Sequence, residues 1–390
     1  GDLDVYLVSG GNLESSGKAL NEDRLLINDG TGNFTVAEDS IPLLYSNGSV
    51  VRPFDYDYDG DLDLFVGGRN KPNAFPLADQ SFLLENNQGK FKAVGATVFP
   101  QLEQLGMVND AQWGDLNQDG RADLVIVGEY TGIQVFYNLV TGFVKDTSPL
   151  ADTTGLWRTL SILDMDADGD LDLFVGNLGK NNMLSISEAT PLLISTQDID
   201  RNGSVDPIMF CSQKDNQGNW DMFPTQFWDN LTQQSPVFRQ EFNSYEAFSN
   251  ANFNYYKERN IIDVDYLLNA RFDASIWIEN QGNGMFKLQE LPEEMQWGPI
   301  NDFLNAEIDG ERLLFSVGND FGGPPFEGNA DAFQGGVLNL DQPMQFKNAQ
   351  TSGFYAYGDA RDIELIALQN GKKLILVSQN QGRLLVFEKK

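Results

Sequence analysis

Histidine is absent from the 390-residue chain. Without it no Ser-His-Asp or Cys-His catalytic arrangement can be assembled, and no His-ligated zinc or iron centre. Cysteine occurs once, at Cys211, which leaves no internal disulfide and no thiolate cluster. Positive charge is scarce. Lys and Arg number 26 against 57 Asp and Glu, for a formal net charge of −31. Such a field repels nucleic-acid backbones and anionic membrane surfaces. Long apolar runs are lacking as well. The longest, such as 124–127 and 374–377, fall far short of the roughly 18–20 residues that cross a bilayer. No GxxxxGK loop is present to cradle a nucleotide phosphate. Hydrophobic residues still make up 41%, which suits a folded domain rather than an acidic disordered chain.

What the sequence does contain is repetition. An acidic loop followed by a short apolar run ending in Gly recurs. The copies are Asp55-Tyr-Asp-Tyr-Asp-Gly-Asp-Leu-Asp63 and Asp115-Leu-Asn-Gln-Asp-Gly-Arg-Ala-Asp123, then Asp164-Met-Asp-Ala-Asp-Gly-Asp-Leu-Asp172 and Asp198-Ile-Asp-Arg-Asn-Gly-Ser-Val-Asp206. Gly1-Asp2-Leu3-Asp4 with its apolar run to Val8 matches the second half of the same unit. The chain also opens on Gly rather than Met, so residues 1–8 are expected to be an incomplete repeat continued upstream. A second unit alternates with the first and reads as strand, tight Asn/Gly turn, strand. It occurs at residues 25–34, 82–91, 276–286 and, more loosely, 135–143.

Two hairpins per unit, at a spacing of about 50–60 residues, predict four-stranded antiparallel blades of a β-propeller. Degenerate hairpins near 300–318, 336–347, 358–377 and 383–389 bring the expected count to roughly seven blades in a single all-β domain over 1–390. A ring leaves few exposed strand edges, which favours it over a tandem array of sandwiches. Between Asp215 and Asn269 the β-period fades. Phe238, Phe242, Tyr245 and Phe248 recur at helical steps, so 215–269 is expected as a partly helical insertion within the fifth blade. Its many aromatics are expected mainly as a mini-core holding it to the ring.

The loop pattern D-x-[DN]-x-[DN]-G-x-x-D points to calcium. Positions one, three, five and nine offer side-chain oxygens, position seven a backbone carbonyl, and Gly at six permits the sharp turn. Hard oxygen donors in that number suit Ca²⁺ better than Mg²⁺, and without a cation the clustered carboxylates would repel one another. The twelfth positions are Val66, Ile126, Val175 and Met209, where an EF-hand carries Glu. Four structural sites are therefore expected. Site one comprises Asp55, Asp57, Asp59, Asp61 (carbonyl) and Asp63. Site two comprises Asp115, Asn117, Asp119, Arg121 (carbonyl) and Asp123. Site three comprises Asp164, Asp166, Asp168, Asp170 (carbonyl) and Asp172. Site four comprises Asp198, Asp200, Asn202, Ser204 (carbonyl) and Asp206. The degenerate stretches Asn305–Gly310 and Asp359–Glu364 are expected to hold no metal.

These units resemble the FG-GAP/VCBS repeats of integrin-α-type propellers. The likeness extends to the UnbV/ASPIC-type proteins related to cartilage acidic protein. It rests on Asp168-Gly-Asp-Leu-Asp-Leu-Phe-Val-Gly-Asn-Leu-Gly179, the Asp198–Asp206 loop, Ser244-Tyr-Glu-Ala-Phe-Ser-Asn-Ala251, Ser352-Gly-Phe-Tyr355 and Gly358-Asp-Ala-Arg361, in that order. The resemblance implies a cell-surface module of a bacterial outer-membrane assembly, anchored as a lipoprotein through upstream residues. Its implied partners are other surface proteins, with glycans a further option. The expected function is a calcium-stabilised extracellular binding or scaffold module with no catalytic residues. The alternative is a lectin or a calcium-assisted polysaccharide-active enzyme on the same ring. Within this reading the Gly322–Gly328 loop is a candidate binding loop.

Overall fold

Apolar runs bounded by Gly and acidic turns form strands throughout the chain. The computed structural model describes residues 2–11, 22–282, 284–323, 328–342 and 344–388. Gly1, Lys389 and residues 324–327 of the candidate binding loop lie outside the described residues.

Sheet one holds β1 (Val5–Leu7), β2 (Arg24–Asn28) and β3 (Phe34–Val36). Sheet two holds β4 (Gly48–Phe54), β5 (Asp63–Gly68), β6 (Phe82–Asn87) and β7 (Lys90–Ala93). Sheet three holds β8 (Met107–Gly114), β9 (Asp123–Thr131), β10 (Gln134–Leu139) and β11 (Gly142–Lys145), with the short β12 (Gly155–Leu156) also paired to β9. Sheet four starts with β13 (Thr159–Leu163) and β14 (Asp172–Gly176).

The chain then leaves sheet four. It forms β15 (Leu192–Ser195), β16 (Met209–Lys214), β17 (Trp220–Pro224) and four short helices. The helices are α1 (Trp228–Gln234), α2 (Val237–Glu241), α3 (Tyr245–Ser249) and α4 (Phe253–Glu258), and β18 (Leu267–Ala270) follows. These strands make a sheet of their own, in the order β17-β16-β15-β18. Sheet four is completed afterwards by β19 (Ile276–Asn280) and β20 (Phe286–Glu290), with Phe174 opposite Trp277. Sheet five is β21 (Ile300–Ile308), β22 (Glu311–Gly318), β23 (Gly336–Asn339) and β24 (Gln345–Lys347). After α5 (Ala349–Ser352), sheet six is β25 (Ala360–Ala367), β26 (Lys373–Gln379) and β27 (Leu385–Glu388).

The architecture is all-β and antiparallel, mostly in four-stranded sheets, with few helices. The sheets pack face to face in series. One apolar cluster around Leu44 and Leu84 joins sheets one and two, and another, around Phe65 and Phe136, joins two and three. Val125 and Leu173 centre the core of sheets three and four, Phe174 and Phe303 that of four and five, and Phe315 and Ile363 that of five and six. The Gly closing each apolar run allows this approach. A Cβ on Gly67 would lie 2.7 Å from Cγ1 of Val108, and one on Gly176 would lie 2.7 Å from the Ile300 carbonyl oxygen.

First strands also bond sideways. Asp110 Oδ2 accepts from Leu160 N at 2.9 Å, and Asp302 Oδ2 accepts from Ile363 N at 2.9 Å. A cavity of about 560 Å³ is lined by Gly10, Ser49, Asn109, Arg158, Asn301 and Arg361 among others, one from the first strand of each of the six sheets or the segment flanking it.

The structure differs from the expected layout at one place. The unit carrying Asp198–Asp206 does not stand in the series. Among the described residues six sheets do, and a seventh lies in a segment, 177–275, that interrupts sheet four between its second and third strands. An acidic loop can join any two adjacent antiparallel strands, so the motif alone does not reveal which sheet those strands enter. The helical spacing at 238–248 also yields separate short helices, because Phe242 breaks to an extended conformation after α2. Phe238, Phe242 and Tyr256 are buried in the segment's own core with Phe210 and Leu231. A different cluster, including Ile186, Ile194 and Cys211, seats the segment against Met107 and Tyr130 of sheet three.

Candidate metal centres

Each of the first three acidic loops joins the first and second strands of its sheet: β4 to β5, β8 to β9 and β13 to β14. The fourth joins β15 to β16 in the inserted sheet. The turn depends on two left-handed residues. Gly at position six has φ of 102°, 87°, 97° and 92° in loops one to four. Position four is also left-handed, at Tyr58, Gln118, Ala167 and Arg201, with φ between 59° and 65°. None of these four is Gly, a cost for side-chain-bearing residues that the surrounding bonds must offset.

Those bonds repeat. The position-one carboxylate accepts from the backbone: Asp55 Oδ2 from Gly60 N at 3.1 Å, Asp115 Oδ2 from Gly120 N at 2.9 Å, Asp164 Oδ2 from Gly169 N at 3.2 Å and Asp198 Oδ2 from Gly203 N at 2.7 Å. Position five turns back onto the amide of position seven, as Asp59 does to Asp61 N at 3.1 Å and Asn202 to Ser204 N at 2.8 Å. Position nine is buried in every loop, at Asp63, Asp123, Asp172 and Asp206. One of its oxygens takes the position-two amide: Tyr56 N, Leu116 N, Met165 N and Ile199 N.

The carboxylates that converge are positions one, three and nine. Asp55, Asp57 and Asp63 have oxygens within 4.8 Å of one another, as do Asp164, Asp166 and Asp172, and Asp198, Asp200 and Asp206. Each of these three clusters could hold a metal ion. Loop two repeats the same backbone bonds but has Asn117 at position three, so a neutral amide oxygen stands where the others have a charge. Asp59, Asp119, Asp168 and Asn202 at position five are not part of the gathered triads. Position seven offers its carbonyl in the sequence, and the structure adds side chains. Oδ1 of Asp61 and Oδ1 of Asp170 are buried without a hydrogen-bond partner. Arg121 at position seven of loop two instead stacks its guanidinium 4.4 Å from the centre of the Tyr58 ring.

Burial makes these carboxylates poor anions. It pushes Asp63, Asp123 and Asp172 up to about 6, against the lowering effect of their backbone hydrogen bonds. Asp206, Asp57 and Asp166 are raised by the same cause. Asp170 is pushed up to about 6, first by burial and then by its neighbour Asp168. A divalent cation at the centre of a triad would reverse that bias. The donor set is all oxygen and mostly charged, which fits a hard divalent ion.

Sequence reasoning missed one set of residues. The third strand of sheets two, three and four presents an Asn to the loop. The second oxygen of Asp63 accepts from Asn86 N at 2.7 Å, that of Asp123 from Asn138 N at 2.9 Å, and that of Asp172 from Asn280 N at 2.8 Å. Asp4 and Asn28 repeat the contact in sheet one at 2.8 Å. The Asn side chains reach further. Asn138 Nδ2 donates to Tyr56 O in loop one and Asn280 Nδ2 to Leu116 O in loop two. Arg312 of sheet five donates to Asp164 O and Met165 O in loop three. Each of these loops is therefore held by the next sheet. The signal was in the outer hairpins, where an Asn recurs just before the turn.

A series of antiparallel sheets whose strand-one to strand-two loops gather aspartates defines an acidic β-repeat protein. The family model described as FG-GAP-like repeat matches residues 1–66 and 115–175, so these two stretches are similar to FG-GAP repeats. No curated protein matches the sequence. Among solved structures, the biofilm matrix protein Bap1 of V. cholerae aligns at 9% identity and a TM-score of 0.28, over 99% of this chain and 74% of that one. A likeness that loose transfers neither fold nor role.

Proposed function

We propose that the chain is a calcium-stabilised β-propeller that serves as a binding or scaffold module outside the cytoplasm, as a surface component of the UnbV/ASPIC type. The six sheets in series are its blades and the 177–275 segment is an appended module. The observation that carries the reading is the convergence of three carboxylates, one of them buried, in three loops of identical backbone design. FG-GAP repeats commonly bind calcium, and their family is generally non-enzymatic, which fits a binding role.

Each calcium neutralises a cluster that is costly when bare. At millimolar calcium and a Kd on the order of 10 µM, each bound ion contributes roughly 2.7 kcal/mol. Several such contributions rival the total stability of a typical domain, so the module suits compartments where calcium is plentiful. The deciding experiment is isothermal calorimetry on metal-free protein. Saturable binding of three to four Ca²⁺ per chain, with weaker Mg²⁺ binding, is expected. Absence of heat at millimolar calcium would remove the reading.

A further inference from the structure

Between α5 and β25 the chain runs extended with strict alternation. Phe354 and Ala356 point inward and are buried, while Tyr355 and Tyr357 point outward at 45% and 53% exposure. Phe354 fixes the strip by packing on Phe315 and Phe387, with ring centres 5.2 and 4.7 Å away. Ala356 N donates to Gln334 O at 3.0 Å. The two tyrosine rings therefore stand side by side on a rigid base, 5.2 Å between centres and 31° between planes. With the exposed ring of Phe321 they wall a cavity of about 660 Å³.

The rest of the wall is mainly polar, and part of it is engaged: Asn380 Nδ2 donates to Asp359 Oδ2 at 3.1 Å and Gln379 Nε2 to Tyr357 O. Among the described residues, the side-chain amides of Gln334 and Gln381 and the carboxylate of Asp331 bond to no other group. Arg361, beside the lining residue Asp359, is paired with it at 2.8 Å and with Asp320.

We propose that this platform binds a neutral glycan. A pyranose ring presents an apolar C–H face to an aromatic plane and hydroxyls around its edge. Paired tyrosines offer the plane, and free carboxamides and a carboxylate offer donors and acceptors for the hydroxyls. No Lys or Arg is among the described residues lining the cavity, and an anionic sugar meets Asp331 in a chain of net charge −31. The site lies on loops remote in sequence from all four acidic loops. It names a ligand class for the binding module proposed above and rests on that reading.

The test is native electrophoresis through gels containing dextran, mannan or xylan as neutral probes, or hyaluronate as an anionic one, all in millimolar calcium. A neutral polysaccharide is expected to retard the wild-type chain. The double variant Tyr355→Ala/Tyr357→Ala should raise the apparent Kd at least tenfold, while Tyr357→Phe should keep most of the binding. If the double variant does not fold, as judged by its melting temperature, Gln334→Ala/Gln381→Ala at exposed positions takes its place with the same expected loss. Retardation by hyaluronate alone, by none of the four, or undiminished in both double variants would overturn the proposal. Capture of a protein instead of a glycan on this surface, lost in the same variants, would also overturn it. The melting temperature with and without calcium is read on the same wild-type sample. A calcium effect without glycan binding overturns the glycan assignment alone, and no calcium effect overturns the earlier reading.

Discussion

Position three and position nine of one loop have different jobs. Asp166 is exposed, and loop two carries Asn at the same place. Asp166→Asn should weaken calcium roughly tenfold at that loop, by reducing ligand charge, and leave the metal-free melting temperature unchanged. Asp172 is buried and accepts from Met165 N and Asn280 N. Asp172→Asn offers one acceptor where two donors point, so it should abolish that site and also destabilise the metal-free chain. Calcium titration and thermal melts of both variants separate the roles.

The raised position-nine carboxyls carry a pH signature of definite sign. Their folded-state pKa, about 6, exceeds the ordinary 3.8. The folded state then holds more protons than the unfolded, and metal-free stability should fall as pH rises from about 4 to 6. Calcium bound as proposed would compete with protons for the same oxygens, so the calcium-induced rise in melting temperature should be small near pH 4 and full above 6. Melts at pH 4.5 and 7, with and without added calcium, read both trends. An opposite slope in the metal-free protein would show that the carboxyls are not the controlling groups. The acidic residue types of the loops and their spacing were legible in the sequence because they are local. The left-handed position four and the orphaned position-seven oxygens were not, since both arise from how the loop closes.

Elements meet through polar bridges as well as apolar cores. Asn280 is buried and its side chain donates to Leu116 O, 164 residues away, at 2.9 Å. Its backbone N–H serves its own loop whatever the side chain. Asn280→Ala should therefore cost about 1–3 kcal/mol by leaving a buried carbonyl unpaired, without changing calcium affinity at loop three. Denaturant unfolding and calcium titration measure the two quantities. Hairpins were legible at this scale. Asn and Gly turns flanked by alternating residues give β2–β3, β6–β7, β10–β11 and β19–β20 as antiparallel pairs. Membership of a sheet was not legible, because β14 finds its partner β19 only after residues 177–275. Asp359–Glu364, which reads as a degenerate loop, runs instead into strand β25. In sheet five the first two strands meet through a tight turn at Asp309–Gly310 in place of an acidic loop.

At the scale of the whole molecule, charge dominates. A chain of net charge −31 repels itself in the compact state, and four Ca²⁺ would offset eight of those charges. Removing calcium should lower the melting temperature by many degrees at low ionic strength. Added monovalent salt should restore part of that loss by screening. Calorimetric scans across salt concentrations test this, and a chelator-insensitive melting temperature would contradict it. The interruption of sheet four also sets a folding order. Sheets one to three consist of strands close in sequence and can assemble as the chain is synthesised. Sheet four cannot close until Ile276 exists and returns to Val175. That closure would be entropically slow for a flexible tether. The intervening segment has its own core around Phe210 and Tyr256, so it can collapse first and deliver β19 to β14 as a preformed clasp.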